Sequence, residues 1–208
     1  MTQTQTDTRI LDVATAIETR VSVRQYVPDS LPQADLERIL ELGSKAPSAF
    51  NAQPWRFVVV RSEAVKEQLK AAAYGQAQIT SAPATIVIYS DMEDVMANAA
   101  ETAHPGMGEE GKARQVETFQ NSFGAMTVEQ RAEWANAQSY IALGFLMLAA
   151  RGMGYDTVPM LGFDPEQVKT LLGLPAHAKI AALLPIGKAA QPGFPQYRHP
   201  LGRIVSYK

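Results

Sequence analysis

Arg20-Val21-Ser22-Val23-Arg24 is the segment of this chain best suited to hold a charged group. If it is extended, residues 20, 22 and 24 share one side and the two valines the other. Two guanidinium forks and a hydroxyl then converge within roughly 7 Å of strand. Such a set suits a phosphate monoester, whose oxygens accept bidentate arginine hydrogen bonds. In a helix Ser22 would face away from both arginines. Taken alone, the alternation also fits an ordinary strand with a solvated face. The run from Ala46 to Phe57 adds two prolines, a hydroxyl and two side-chain amides that lead straight into a strand-like segment. Pro47 and Pro54 stiffen the loop, while Ser48, Asn51 and Gln53 offer uncharged donors and acceptors. A heteroaromatic ring with alternating N–H and C=O edges needs such partners; a rigid connector whose amides satisfy one another reads equally well. A third turn, Val158-Pro159-Met160-Leu161-Gly162-Phe163, lies between a strand and a capped helix. Its backbone N–H groups either face a ligand or belong to a plain strand-to-helix connection.

Other chemistries are excluded. The chain has no cysteine, so thiol nucleophiles, disulfide exchange and cysteine-ligated zinc or iron–sulfur centres are absent. His104, His177 and His199 stand at least 22 positions apart, too far for a local His-x-x-x-His metal site. Gly106-Met107-Gly108-Glu109-Glu110-Gly111 matches a dinucleotide fingerprint in letters only. It follows His104-Pro105 rather than a strand, and its glutamates repel a pyrophosphate. Gly187-Lys188 lacks the upstream glycine and the following hydroxyl of a P-loop, and no G-x-S-x-G elbow supports a hydrolase. A net charge of −2, without a run of five like charges, argues against nucleic acid as a partner. The apolar stretch Tyr140 to Ala150 is shorter than the ~20 residues a bilayer requires, and Met1 to Thr6 carries no signal-peptide features. The expectation is a cytoplasmic protein with no membrane partner.

The elements that must position these residues follow from periodicity. Residues 1–8 are polar and read as a frayed end. Apolar positions 10, 13, 14 and 17 mark a first helix. Ser30-Leu31-Pro32-Gln33 reads as a capping box opening a second helix, which Pro47 ends. Strands are expected at Phe57 to Val60 and Ala84 to Tyr89, with a helix over Val65 to Ala73 between them. Residues 92–126 lack a clean period and read as a helical excursion and lid. Thr127 and Gln130 form a second capping box; the helix they open runs to Arg151 and stops at Gly152. Its stretch 140–150 is apolar on every side and must be covered all round, in a large core or by a partner chain. A strand at Tyr155 to Val158, a helix capped by Asp164, and a strand at Ile180 to Ile186 follow. No repeat or linker divides residues 1–208, which read as one domain of helices around a small sheet. A proline-rich tail begins at Gln191.

Taken in order, these segments resemble the nitroreductase family of flavin mononucleotide (FMN) enzymes. The resemblance rests on Arg20-x-Ser22-x-Arg24, on Ala46-Pro47-Ser48-x-x-Asn51-x-Gln53-Pro54-Trp55-x-Phe57, on Pro159-Met160-Leu161-Gly162-Phe163, on Gly187, and on an arginine near the C-terminus, and spans roughly residues 10 to 207. It implies an α+β, three-layer fold and a homodimer with two FMN sites at the subunit interface. It assigns Arg20, Ser22, Arg24 and Arg198 to the phosphate end of FMN. Pro47, Ser48 and Asn51 approach the flavin from the other subunit, Gln53 joins the cofactor-binding set, Pro159, Met160, Leu161 and Gly162 line the ring, and Gly187 belongs to the same pattern. The tail over 191–208 would wrap the partner. Two departures stand out. Leu161 occupies a position where some members carry an acidic residue, and Gln78 stands where some carry lysine; as a neutral amide it stabilises an anionic reduced flavin less than lysine does. The implied activity is hydride transfer from NADH or NADPH through flavin N5 to a nitroaromatic, quinone or similar small-molecule acceptor, by a ping-pong mechanism and without a catalytic side chain or metal. The alternatives are a specialised flavin enzyme of the same fold (enal reduction, dehalogenation or flavin destruction) and a non-catalytic FMN-binding protein.

Overall fold

The computed structural model describes residues 10–208; the segment 1–8, read above as a frayed end, lies outside them. Four strands form an antiparallel sheet in the order β1-β2-β4-β3, with β1 at Trp55–Val60, β2 at Ala84–Ser90, β3 at Asp156–Thr157 and β4 at Lys179–Gly187. The two central strands read as near-continuous apolar runs because both faces are covered. Ile86, Ile88, Leu184 and Ile186 point into one apolar layer, whereas Val87 and Leu183 point into the other.

Helices α1 (Val13–Thr19), α2 (Gln33–Gly43) and α7 (Val128–Gly152) lie on the first side. Helices α3 (Glu63–Ala72), α4 (Gln78–Ser81) and α8 (Pro165–Leu172) cover the second. The result is a three-layer α+β fold. The excursion expected over 92–126 consists of α5 (Met92–Ala97), two short 3-10 turns and α6 (Gly108–Phe123). A short helix, α9 (Leu201–Ile204), lies in the tail. Among the described residues no helix is long and apolar enough to cross a membrane.

The capping box at Thr127 and Gln130 forms in both directions. The one expected at Ser30 does not. Pro32 occupies the N-cap of α2, and the Ser30 hydroxyl instead accepts from the Lys188 amide at 2.9 Å. Gln33 is drawn to Glu37 and Arg61. Helix α7 ends at Gly152 as expected, but the left-handed residue that turns the chain is Gly154, at φ 80°.

One face of α7, carrying Ala142, Leu146 and Ala150, is buried on the sheet and α2, while Ala135 nearer its start packs against α5 and α6. The opposite face leaves Tyr140, Ile141 and Phe145 exposed beside Val13 and Ile17 of α1. The all-apolar stretch is therefore only half covered by its own chain. Close approach of α2 to α7 depends on Gly43, where a Cβ atom would lie 2.2 Å from Leu146 Cδ2 and 2.6 Å from its Cγ. Gly43→Ala is expected to lower stability by about 1–3 kcal/mol through overpacking. Thermal or urea unfolding measures this, and an unchanged midpoint would contradict the tight crossing.

Candidate cofactor site

Residues 20–24 take the extended form that their alternation predicts. Val23 is buried and Val21 packs beside it, while Ser22 pairs in parallel with Thr157 of β3 and the Val23 amide donates to the Thr157 carbonyl at 3.2 Å. Tyr26 fixes the far end. Its hydroxyl donates to the Val23 and Pro185 carbonyls, and its amide donates to the Ser81 hydroxyl at 2.8 Å. Burial pushes the Tyr26 hydroxyl pKa well up, so it stays a donor.

The polar side of this segment faces a cleft of about 230 Å³ lined by Arg20, Ser22, Arg24, Gln196 and Arg198. Arg198 reaches it because the tail doubles back on its own chain. The Ala190 amide donates to the Gln25 carbonyl, and Gln196 Nε2 lies 2.7 Å from the carbonyl oxygens of both Ile17 and Arg20. Gly193 permits the crossing, since a Cβ there would lie 2.5 Å from the Ser22 carbonyl oxygen.

Among the described residues, no carboxylate pairs with Arg20, Arg24 or Arg198. The Arg20 pKa is lowered, first by burial and then by the neighbouring Arg198 cation. Three converging guanidiniums without an anion form a site that favours a dianion, and a phosphate monoester fits it.

The turn after β3 supplies a second kind of donor. Met160 is buried and pairs with Leu183, and its N–H donates to the Leu183 carbonyl. The next two amides, of Leu161 and Gly162, have no protein acceptor among the described residues, and both residues are exposed. Gln76 holds them in place. Its Nε2 donates to the Gly162 carbonyl at 2.6 Å, and its Oε1 accepts from Gln78 Nε2 at 2.9 Å. The chain Gln78–Gln76–Gly162 therefore joins two regions that the sequence marked separately. Thr157, beside Ser22, and Met160 are three residues apart, roughly 10 Å of extended chain. An anion cradle and two free backbone donors thus lie near one another on the same chain.

Pro47, Ser48, Asn51 and Gln53 lie elsewhere. Their loop enters β1 at Trp55, opposite Ser90 of β2, which also pairs with Lys179 of β4. Thr157 pairs instead with Ile186. Lys179 and Ile186 are seven residues apart, so the two groups flank opposite ends of the sheet, roughly 24 Å apart along β4. The loop itself is tightly held. Ser48 Oγ accepts from the Gln53 amide, Asn51 Nδ2 donates to the Thr102 carbonyl, and Gln53 Nε2 donates to Asn51 Oδ1. Phe50, Asn51 and Gln53 are all left-handed, with φ of 57°, 55° and 44°. Non-glycine residues in this region cost energy and cluster at functional sites.

Gly187 is buried, and a Cβ there would meet Pro83 Cδ at 2.6 Å and Tyr26 Cδ1 at 3.1 Å. The protein's own packing accounts for this glycine. Sequence reasoning missed Gln76, Phe50 and Gln115. The first is a lone amide in a turn; the others depend on loop conformation, which no local spacing encodes.

Comparison with known proteins shows an oxidoreductase of the nitroreductase type. A family model described as the nitroreductase family matches residues 17–188, and the chain belongs to that family. A Thermus thermophilus protein named NADH dehydrogenase is 47% identical over 199 residues, covering 96% of this chain and 97% of its own length. A Bacillus subtilis protein, provisionally named an NAD(P)H nitroreductase, is 35% identical over 198 residues, covering 91% and 94%. A structure from Exiguobacterium sibiricum, solved in complex with FMN, is 30% identical, with a TM-score of 0.83 over 95% of this chain and 98% of that one.

Gln76→Ala is expected to release the turn. Exchange of the Phe163 and Asp164 amides, which donate to the Leu161 and Ala72 carbonyls, should accelerate about tenfold, the weight of a hydrogen bond of roughly 1–1.5 kcal/mol. Exchange in β2 and β4 should not change. Unaltered protection at Phe163 and Asp164 would remove Gln76 from this role.

Proposed function

We propose that the protein is an FMN-dependent NAD(P)H oxidoreductase that works as a homodimer and reduces nitroaromatic, quinone or similar acceptors. The carboxylate-free cluster of Arg20, Arg24 and Arg198 beside Ser22 carries this reading. FMN, when bound, relays a hydride from the nicotinamide to the acceptor, one reduction after the other. The protein's share is placement. Arg20, Arg24 and Arg198 neutralise the phosphate, and Ser22 donates to it or to the adjoining hydroxyls. The Leu161 and Gly162 amides, steadied by Gln76, direct N–H groups at the polar edge of the ring, and Gln78 adds an uncharged donor there.

Two observations support a second subunit. The loop with Pro47, Ser48, Asn51 and Gln53 lies at the opposite end of the sheet from the arginines, which supports a second copy bringing it to the flavin. The exposed apolar face of α1 and α7 also surrounds a cavity of about 380 Å³ lined almost wholly by apolar side chains, among them Leu11, Val13, Phe145 and Leu148. Covering such a surface with a second copy removes it from water. Residues 92–126 then act as a lid beside the incoming loop, and the tail beyond Arg198 extends toward the partner.

The double variant Arg20→Ala/Arg24→Ala should lose FMN on dialysis. Each lost charge-assisted hydrogen bond is worth about 1.5–3 kcal/mol, so the FMN Kd should rise at least tenfold per arginine. Absorbance after dialysis measures the retained cofactor; a double variant that keeps stoichiometric FMN overturns the phosphate assignment. The wild-type protein should sediment at twice the 22.6 kDa of one chain and be bleached anaerobically by NADH or NADPH. A monomer that holds FMN would contradict the shared site.

A further inference from the structure

Phe50 is 45% exposed although it packs on three aromatic rings. Its centroid lies 5.6 Å from Phe123 at an interplanar angle of 84°, 6.2 Å from Phe119 at 61°, and 6.5 Å from Trp134 at 41°. Phe119 and Phe123 are buried, so Phe50 forms the outer member of a cluster rooted in α6 and α7. Its backbone is left-handed, a conformation unfavourable for a bulky side chain.

Four polar groups hold that conformation. Gln115 Nε2 donates to the Phe50 carbonyl and to Thr102 Oγ1, both at 2.8 Å. Gln138 Oε1 accepts from the Ala49 amide at 3.0 Å, Asn51 Nδ2 donates to the Thr102 carbonyl at 2.8 Å, and Ser48 closes the turn onto Gln53. Excursion, long helix and loop thus converge to keep an aromatic ring partly in solvent. Simple core filling does not require this arrangement, whereas a recognition surface does.

We propose that Phe50 selects the acceptor: its exposed ring, backed by Phe119, Phe123 and Trp134, is a stacking wall that favours flat ring acceptors such as quinones over acceptors without a ring. This inference rests on the functional reading above, in which Ser48 and Asn51 flank the flavin of the second subunit and Phe50 lies between them. Aromatic rings attract each other in offset or edge-to-face geometry, and the observed edge contacts to Phe123 and Phe119 show that Phe50 is already held in such a lattice. Gln115 is the positioning residue, because it clamps the Phe50 carbonyl to the excursion.

The test compares Phe50→Ala and Phe50→Trp holoenzymes with wild type. Calorimetry measures binding of naphthoate, a planar probe that the flavin does not reduce. Turnover with menadione is compared with turnover with ferricyanide, which has no ring. Phe50→Ala should weaken naphthoate binding about two- to tenfold, the weight of one aromatic contact. It should lower kcat/KM for menadione relative to ferricyanide by a similar factor, mainly through KM, and Phe50→Trp should restore both. Equal losses with the two acceptors, or unchanged naphthoate affinity, overturn the proposal. So does a Phe50→Ala protein that sediments as a monomer, since the ring would then serve the contact between copies. Wild-type protein that binds no FMN removes the functional reading itself, and the proposal with it; retained FMN with unchanged naphthoate affinity removes the proposal alone.

Discussion

The short parallel contact between Ser22 and Thr157 is the constraint on which the rest of the site depends. It adds an extended segment to the edge of the sheet beyond β3 and orients its side chains by strand alternation alone. Valines face inward, and two arginines and a serine face the cleft. The tail then crosses this segment at Gly193 and delivers Arg198 to the same cleft. Without the contact, the arginines would be ordinary surface cations with no reason to converge. With it, three positive groups are held together against their mutual repulsion, a balance that an incoming dianion relieves.

The same topology separates the two halves of the site. Antiparallel strands carry the phosphate cradle to one end of the sheet and the strained 48–53 loop to the other. One chain therefore carries the arginine cradle at one end of its sheet and the strained loop at the other. The apolar face of α7 is also left uncovered by its own chain, and the helix has no polar side to present to water over residues 140–150.

Much of this was legible in the sequence because it rests on local periodicity. The alternation at 20–24, the Thr127 capping box, the Asp164 cap with Pro165 behind it, and the buried strand 180–186 all appear where their patterns place them. Other features depend on long-range contacts. Ser30 has the sequence of a helix cap but bonds to Lys188, 158 residues away. Gly187 fits the family pattern, yet its own surroundings, Tyr26 and Pro83, explain it. The amides of Asn51 and Gln53 read as free donors or as a self-satisfied pair; the structure shows bonds to Thr102 and to each other, with the backbone in the left-handed region. Gln76 carries no pattern at all, although it links Gln78 to the Gly162 carbonyl. Periodicity reports which face of an element is buried, not which distant group a polar side chain will meet.

The central claim is that each flavin site takes its arginines from one chain and its 48–53 loop from the other. Subunit mixing tests it most directly. One variant carries Arg20→Ala and Arg24→Ala, the other Ser48→Ala and Asn51→Ala, and each alone should have little activity. Co-refolded in equal amounts, random pairing gives heterodimers in about half the population, each with one intact and one doubly altered site. The account predicts recovery of about a quarter of wild-type activity. A mixture no more active than the sum of its parents, with heterodimers demonstrably formed, would contradict it.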